Sequence, residues 1–182
     1  MESSAIKSES KSRTMPWLAY LSLGSNVGDR EAQLRDAQAR LAAAGRVVAA
    51  SPLYETEPVE FTQQPLFLNF VIALETSMTP QQLMAAILRI EEEMGRRRVQ
   101  KKGPRPIDID ILLFDEVILD SANLTIPHPA MDQRRFVLEP LAEIAPEVLH
   151  PALKRTIREL RDALPAGQVV RKLKNLATDF AD

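Results

Sequence analysis

The stretch RPIDIDILLF, residues 105–114, decides how the rest of the chain is read. Alternating isoleucines followed by large apolar residues, with prolines just ahead, read as a β-strand. Yet Asp108 and Asp110, both poor strand formers, stand in its first half. Side chains alternate along a strand, so Ile107, Ile109 and Ile111 share one face, which must be core. Asp108 and Asp110 share the other face, separated by ~6–7 Å. Leu112 and Phe114 continue the aspartate side, so that face is expected to be polar only at its start. Six cations crowd in ahead of the strand: Arg96, Arg97, Arg98, Lys101, Lys102 and Arg105.

The elements before this strand set its place. Residues 17–23 are rich in strand formers and end at a turn cluster, GSNVGDR, where Asn26 or Asp29 suits a helix cap. Leu34, Ala37 and Leu41 then recur at helical spacing over residues 29–44, and Gly45 is expected to end that helix as a C-cap. Residues 46–58 read as a second strand running into a long irregular loop, and residues 66–77 as a third. Thr79 and Pro80 open a helix with an apolar stripe at Leu83, Ala86, Ile87, Ile90 and Met94, stopped by Gly95. After the aspartate strand come a proline-punctuated loop, a helix and, at residues 152–164, a last amphipathic helix. The order β-α-β-β-α-β implies an α+β, ferredoxin-like sheet with helices packed on both faces, a three-layer α-β-α arrangement.

Composition narrows the function classes. A chain of 182 residues with 45% hydrophobic residues can build a core without help. We read residues 1–15 as a disordered lead-in and residues 16–182 as one domain. The net charge of −2 argues against a global field for nucleic acid or an anionic membrane. The absence of cysteine excludes disulfides, thiolate zinc sites and cysteine nucleophiles. No apolar run approaches the ~20 residues that cross a bilayer. A cytoplasmic monomer acting on small molecules is the expectation, with no nucleic-acid or membrane partner.

Two ionised carboxylates this close repel, and a hard divalent cation beside them relieves the repulsion. Magnesium suits the pair, since one or two carboxylates plus phosphate oxygens hold it. Solvated side chains on an open sheet face are the bland alternative for the aspartates, and a solvated basic loop is the bland alternative for the cations. The rigid Gly103-Pro104-Arg105-Pro106 ending and the nearness of Arg105 to Asp108 favour a polyphosphate site instead. GSNVGDR lacks the Gly-Lys-Ser/Thr of a P-loop and is read as a strand-to-helix turn.

Taken together, LSLGSNVGDR, SPLYETEP, QPLFLNFVIALET, RIEEEMGRRR, GPRPIDIDILLF and IPHPAMDQRRFVLEPLAEIAP resemble the hydroxymethyl-dihydropterin pyrophosphokinases of folate biosynthesis. The resemblance covers residues 18–151. It implies ATP as co-substrate and transfer of its β,γ-diphosphoryl group to the hydroxymethyl oxygen of a reduced pterin, giving AMP and the pterin diphosphate. It implies that Asp108 and Asp110 hold two magnesium ions. Arg96, Arg98 and Arg105 match phosphate-binding positions, with Arg96 and Arg105 catalytic beside the two aspartates. Glu91, Ile111, His128 and Arg134 match positions around the nucleotide. Thr56, Val59, Phe67, Asn69 and Phe136 match positions around the pterin, where Asn69 reads the ring edge and the two phenylalanines flank it.

Two departures stand out: Lys102 and Pro129 occupy positions where many members of that family carry an aromatic. No general base is evident, and metal coordination of the hydroxyl suffices in a loose transition state. The basic loop and the loop after Tyr54 are expected to close over the substrates. The rival readings are a palm-like nucleotidyltransferase or cyclase, which would release pyrophosphate, and an RNA-binding module. The latter would need exposed aromatics on its central strands and a broad basic face.

Overall fold

The computed structural model describes residues 16–57, 63–95 and 104–176. The lead-in at residues 1–15, and Val59, Arg96, Arg98 and Lys102, lie outside the described residues. Strands are β1 (Trp17–Ser25), β2 (Arg46–Ala50), β3 (Pro52–Thr56), β4 (Phe67–Thr76), β5 (Asp108–Phe114), β6 (Leu119–Asp120), β7 (Thr125–Ile126) and β8 (Val170–Asn175). Helices are α1 (Arg30–Leu41), α2 (Pro80–Glu93), α3 (Arg135–Ile144) and α4 (Ile157–Asp162).

The main sheet runs β5-β1-β4-β3-β8, with β2 also on β4, and all its pairings are antiparallel. β2 and β3 occupy the same edge of β4, β2 beside its second half and β3 beside its first. They are the expected second strand, broken at Ser51. There the Ser51 amide donates to the Val71 carbonyl, and the Ser51 hydroxyl accepts from the Val71 amide. The side chain replaces one rung of the ladder, so the strand bends without leaving a buried amide unpaired.

One core lies between the sheet and α1 and α2, joining Leu34, Leu41, Leu83 and Ile87 to Leu21, Leu23, Phe70, Ile72, Ile109 and Ile111. The opposite face packs Tyr20, Val71, Ala73 and Leu113 against Val137, Leu138 and Leu141 of α3 and Leu160 of α4. The three-layer ferredoxin-like architecture is therefore as the sequence implied. Burial of both faces explains why β4 reads as a continuous apolar run.

Several local expectations are corrected. Phe114 does not lie on the aspartate side. The β1–β5 register shifts between Tyr20 and Leu21, which face Leu113 and Ile111, so Leu112 is an extra residue in β5. This bulge resets the alternation: Leu112 and Leu113 both join the α3 layer, and Phe114 joins the isoleucine core. Gly45 is not a helix cap; α1 ends at Ala42. A β-carbon at Gly45 would come within 2.1 Å of the Glu75 carbonyl oxygen, so the missing side chain lets two backbones approach. Gly95 does end α2 in the left-handed region, at φ +84°.

The last helix is shorter than its pattern suggests. His150 Nδ1 accepts from the amides of Ala152 and Leu153, and Lys154 takes φ +57°, so helix begins only after the Thr156 cap. β8 was not expected at all, since VRKLKN reads as a charged tail. No helix among the described residues is long and apolar enough to cross a membrane.

Candidate active site

The α3 layer covers one part of its sheet face. The rest is lined by residues that the strand register places side by side. Asp108 pairs with Gly24 and Asp110 with Ser22; across β1, Gly24 pairs with Asn69 and Ser22 with Val71. On the next strand Tyr54 pairs with Asn69 and Thr56 with Phe67. One face therefore carries a row from the twin carboxylates of β5, across a glycine, to an amide, a hydroxyl and an aromatic ring.

Gly24 is small by necessity. A β-carbon there would lie 2.5 Å from Asn69 Oδ1. Its absence leaves space between the carboxylates and the Asn69 amide. That amide is 5% exposed, and its Nδ2 donates to Thr56 Oγ1 at 2.7 Å, which fixes the direction its oxygen faces. Asn69 and Thr56 were expected around the same ligand, and they are hydrogen-bonded to each other.

Arg105 joins the two ends of this row. Its guanidinium lies 3.2 Å from Asp108 Oδ2, and its central carbon sits 5.1 Å from the centre of the Phe67 ring. Both groups of the ion pair are largely buried, at 18% and 23% exposure, which weakens solvent screening. Arg134 lies 5.6 Å over the Phe136 ring in the same manner, at the start of α3.

His128 lies within electrostatic reach of Arg134 and Asp108. Its amide donates to the Leu112 carbonyl at the β5 bulge. Its Nδ1 accepts from the Ala130 amide at 3.2 Å, so in the neutral ring Nε2 carries the proton. Burial, then the nearby positive charge of Arg134, lower the imidazole pKa, while the Asp108 carboxylate opposes them. The neutral ring is thus favoured, with its Nε2 N–H as a donor near Asp108.

Two of the expected nucleotide residues have buried side chains. Ile111 is 3% exposed in the core under α1 and α2, so only its backbone can meet a ligand on the aspartate face. Glu91 of α2 is 3% exposed and accepts from the Ile109 amide at 3.3 Å, anchoring the outer edge of β5.

A divalent cation fits Asp108 and Asp110. Their side chains share a partly exposed face, with the rest of the coordination sphere left to oxygens of a ligand. Among the described residues no three His, Cys, Asp or Glu side chains gather as an all-protein cage. Two carboxylates and open positions suit magnesium held jointly with phosphate, rather than a structural metal.

Sequence reasoning missed Asn26, which was given only a capping role beside Asp29. Asp29 is the α1 cap, accepting from the Ala32 amide at 3.1 Å. Asn26 is 1% exposed and bonds to both loops that flank the site. Tyr54 was also missed: its hydroxyl donates to Glu143 of α3 at 2.8 Å, and Lys172 of β8 donates to the same oxygen at 2.8 Å. A tyrosine on a strand gives no sign, from sequence, of which partner its hydroxyl will meet.

Residues 20–146 match the family model of 7,8-dihydro-6-hydroxymethylpterin-pyrophosphokinase. The chain is 47% identical over 133 residues to the Bacillus subtilis 2-amino-4-hydroxy-6-hydroxymethyldihydropteridine pyrophosphokinase, covering 72% of this chain and 80% of that protein. It is 45% identical over 151 residues to the Schizosaccharomyces pombe folic acid synthesis protein fol1, covering 82% of this chain but only 21% of that longer protein. Among solved structures, wild-type Plasmodium falciparum HPPK-DHPS superposes with a TM-score of 0.64 at 20% identity, covering 81% of this chain and 41% of that one. That last likeness concerns the fold. The matched segment takes in the aspartate strand, the His128 loop and α3, and on it the chain belongs to the 7,8-dihydro-6-hydroxymethylpterin-pyrophosphokinase family.

Proposed function

We propose that this chain transfers the β,γ-diphosphoryl group of ATP to the hydroxymethyl oxygen of 6-hydroxymethyl-7,8-dihydropterin, forming AMP and the pterin diphosphate in folate biosynthesis. The observation that carries the reading is the shared face of Asp108 and Asp110, with Arg105 spanning from Asp108 to Phe67. The Pα–O bond to the α,β-bridging oxygen stays intact; the bond that breaks lies between Pβ and that oxygen, which AMP retains. The new bond joins Pβ to the pterin oxygen, and the hydroxyl proton is released.

Asp108 and Asp110 are the residues that would hold magnesium, two ions in this reading. Bound there, magnesium would neutralise the polyphosphate and draw the hydroxyl toward Pβ. Arg105, with Arg96 and Arg98, binds phosphate oxygens and offsets the charge carried by the departing AMP. His128 donates from Nε2 to the nucleotide, and Arg134 adds charge from the start of α3. Glu91 supports β5 beneath the nucleotide, and Ile111 contributes backbone. Asn69 reads the edge of the pterin; Thr56 holds that amide in place; Phe67 and Phe136 flank the ring, and Val59 completes its side. Residues 16–182 act as one domain and one monomer, which sedimentation velocity tests.

The decisive assay supplies ATP, magnesium and the pterin alcohol and identifies the nucleotide product. Pterin-dependent AMP supports the reading. Release of inorganic pyrophosphate without pterin diphosphate would instead indicate a nucleotidyltransferase or cyclase.

A further inference from the structure

Asn26 follows β1 on the turn into α1, and its amide N–H and both polar atoms of its side chain are engaged. Its amide N–H donates to the Arg105 carbonyl at 3.3 Å, and its Oδ1 accepts from the Arg105 amide at 2.9 Å. Its Nδ2 donates to Gln64 Oε1 at 2.8 Å and to the Pro65 carbonyl at 3.3 Å. The partners fix the amide orientation, because the Arg105 N–H can only donate and the Pro65 carbonyl can only accept.

One side chain thus ties the backbone of the nucleotide-side arginine to the end of the loop that precedes β4. The same turn holds that loop a second time. Arg30 donates to the Leu66 carbonyl at 3.0 Å and to Glu55 Oε2 at 2.8 Å, gripping β3 before the loop and the chain after it. Nothing about capping explains these bonds, since Asp29 caps α1.

We infer that Asn26 is a positioning residue that couples the two substrate sites, transmitting the placement of residues 64–65 on the pterin side to Arg105 on the nucleotide side. The inference rests on the proposed function. Asn26 touches neither substrate; it acts through Arg105, whose guanidinium reaches both Asp108 and Phe67. Burial makes the coupling stiff. Asn26 is 1% exposed, so a broken bond there is not replaced by water, and each partner's position is felt by the other.

The test reads nucleotide affinity without pterin. Titration calorimetry with magnesium and α,β-methylene-ATP, whose Pα–Pβ bridge resists cleavage, gives the dissociation constant. Gln64→Ala removes one pterin-side acceptor of the clasp and leaves the Pro65 carbonyl in place. Coupling through Asn26 predicts that it weakens the analogue roughly fivefold or more. It also predicts that the same substitution has no further effect in an Asn26→Ala background, where no side-chain partner for Gln64 remains. An unchanged affinity in Gln64→Ala overturns the inference by itself, even if Asn26→Ala fails to fold. An equal effect in both backgrounds also overturns it, because a purely structural role adds rather than couples. Wild-type AMP formation separates the levels. Pterin-dependent AMP with no Gln64 effect removes the clasp alone, and absence of such AMP removes the functional reading as well.

Discussion

Single residues carry the shape of the site more than its electrostatics. Gly24 leaves the gap between the carboxylates and Asn69. The Gly24→Ala methyl would sit 2.5 Å from Asn69 Oδ1 and must displace the amide that Thr56 holds. We expect a rise of about tenfold in pterin KM from the lost recognition bond, with little change in nucleotide affinity. Steady-state kinetics with each substrate varied checks this. His150 carries a separate, acid-sensitive contribution. Burial lowers its pKa below the ordinary 6.5, with Asp132 opposing, and its Nδ1 accepts two backbone amides only when neutral. The unfolded chain therefore takes up this proton first as pH falls. Its stability contribution is present above pH 6.5 and is lost as pH falls through the lowered folded value. Urea midpoints measured across that interval should decline, and His150→Asn, which accepts without titrating, should flatten the decline. Reading such residues from sequence succeeded where chemistry was local. Asp108 and Asp110 two apart in a strand could only share a face. It failed for Gly24, Asn26 and Gly45, because their reasons lie in what another strand or loop brings against them.

At the scale of elements, legibility followed how much each element depends on its own residues. α2 was legible from end to end: Thr79 and Gln82 form a reciprocal capping box, Pro80 sits in the first turn and Gly95 ends it. Thr79→Ala should cost about 1 kcal/mol. That lowers the thermal midpoint by about 2–4 °C, measurable by calorimetry. The β5 bulge was not legible, since an extra residue at Leu112 is defined only by what Tyr20 and Leu21 face. The bulge has a consequence for the site. It lets β5 present carboxylates at one end and a double leucine to α3 at the other, with His128 bonded to the bulged residue's carbonyl. β8 was missed because an edge strand rich in Lys and Arg lacks apolar alternation, the charges guarding a free edge. Its Lys172 and Tyr54 of β3 meet on one oxygen of Glu143, so strand and α3 are braced together. Both bonds lower the Glu143 pKa, that from Lys172 most. Tyr54→Phe should cost about 1–1.5 kcal/mol, read from urea midpoints, because it leaves the brace one donor short.

For the whole molecule, the split βαβ order implied the ferredoxin-like sheet but not its added edge strand β8. The strand order places β1 between β5 and β4, so residues far apart in sequence, Asp108 and Asn69, face each other across Gly24. The helices α1 and α2 fill one side; α3 and α4 fill only part of the other, and the remaining part is where the polar row lies. Function is thus a consequence of incomplete coverage of one sheet face. The central claim is that the carboxylates of β5 serve diphosphoryl transfer on that face. Product analysis with ATP, magnesium and the pterin alcohol tests it most directly, comparing wild type with Asp108→Ala and Asp110→Ala, each first shown to be folded by circular dichroism. We predict pterin-dependent AMP from wild type and a loss of at least about a thousandfold in rate in each variant, the scale of removing transition-state charge stabilisation. Folded variants that form AMP at the wild-type rate would contradict it.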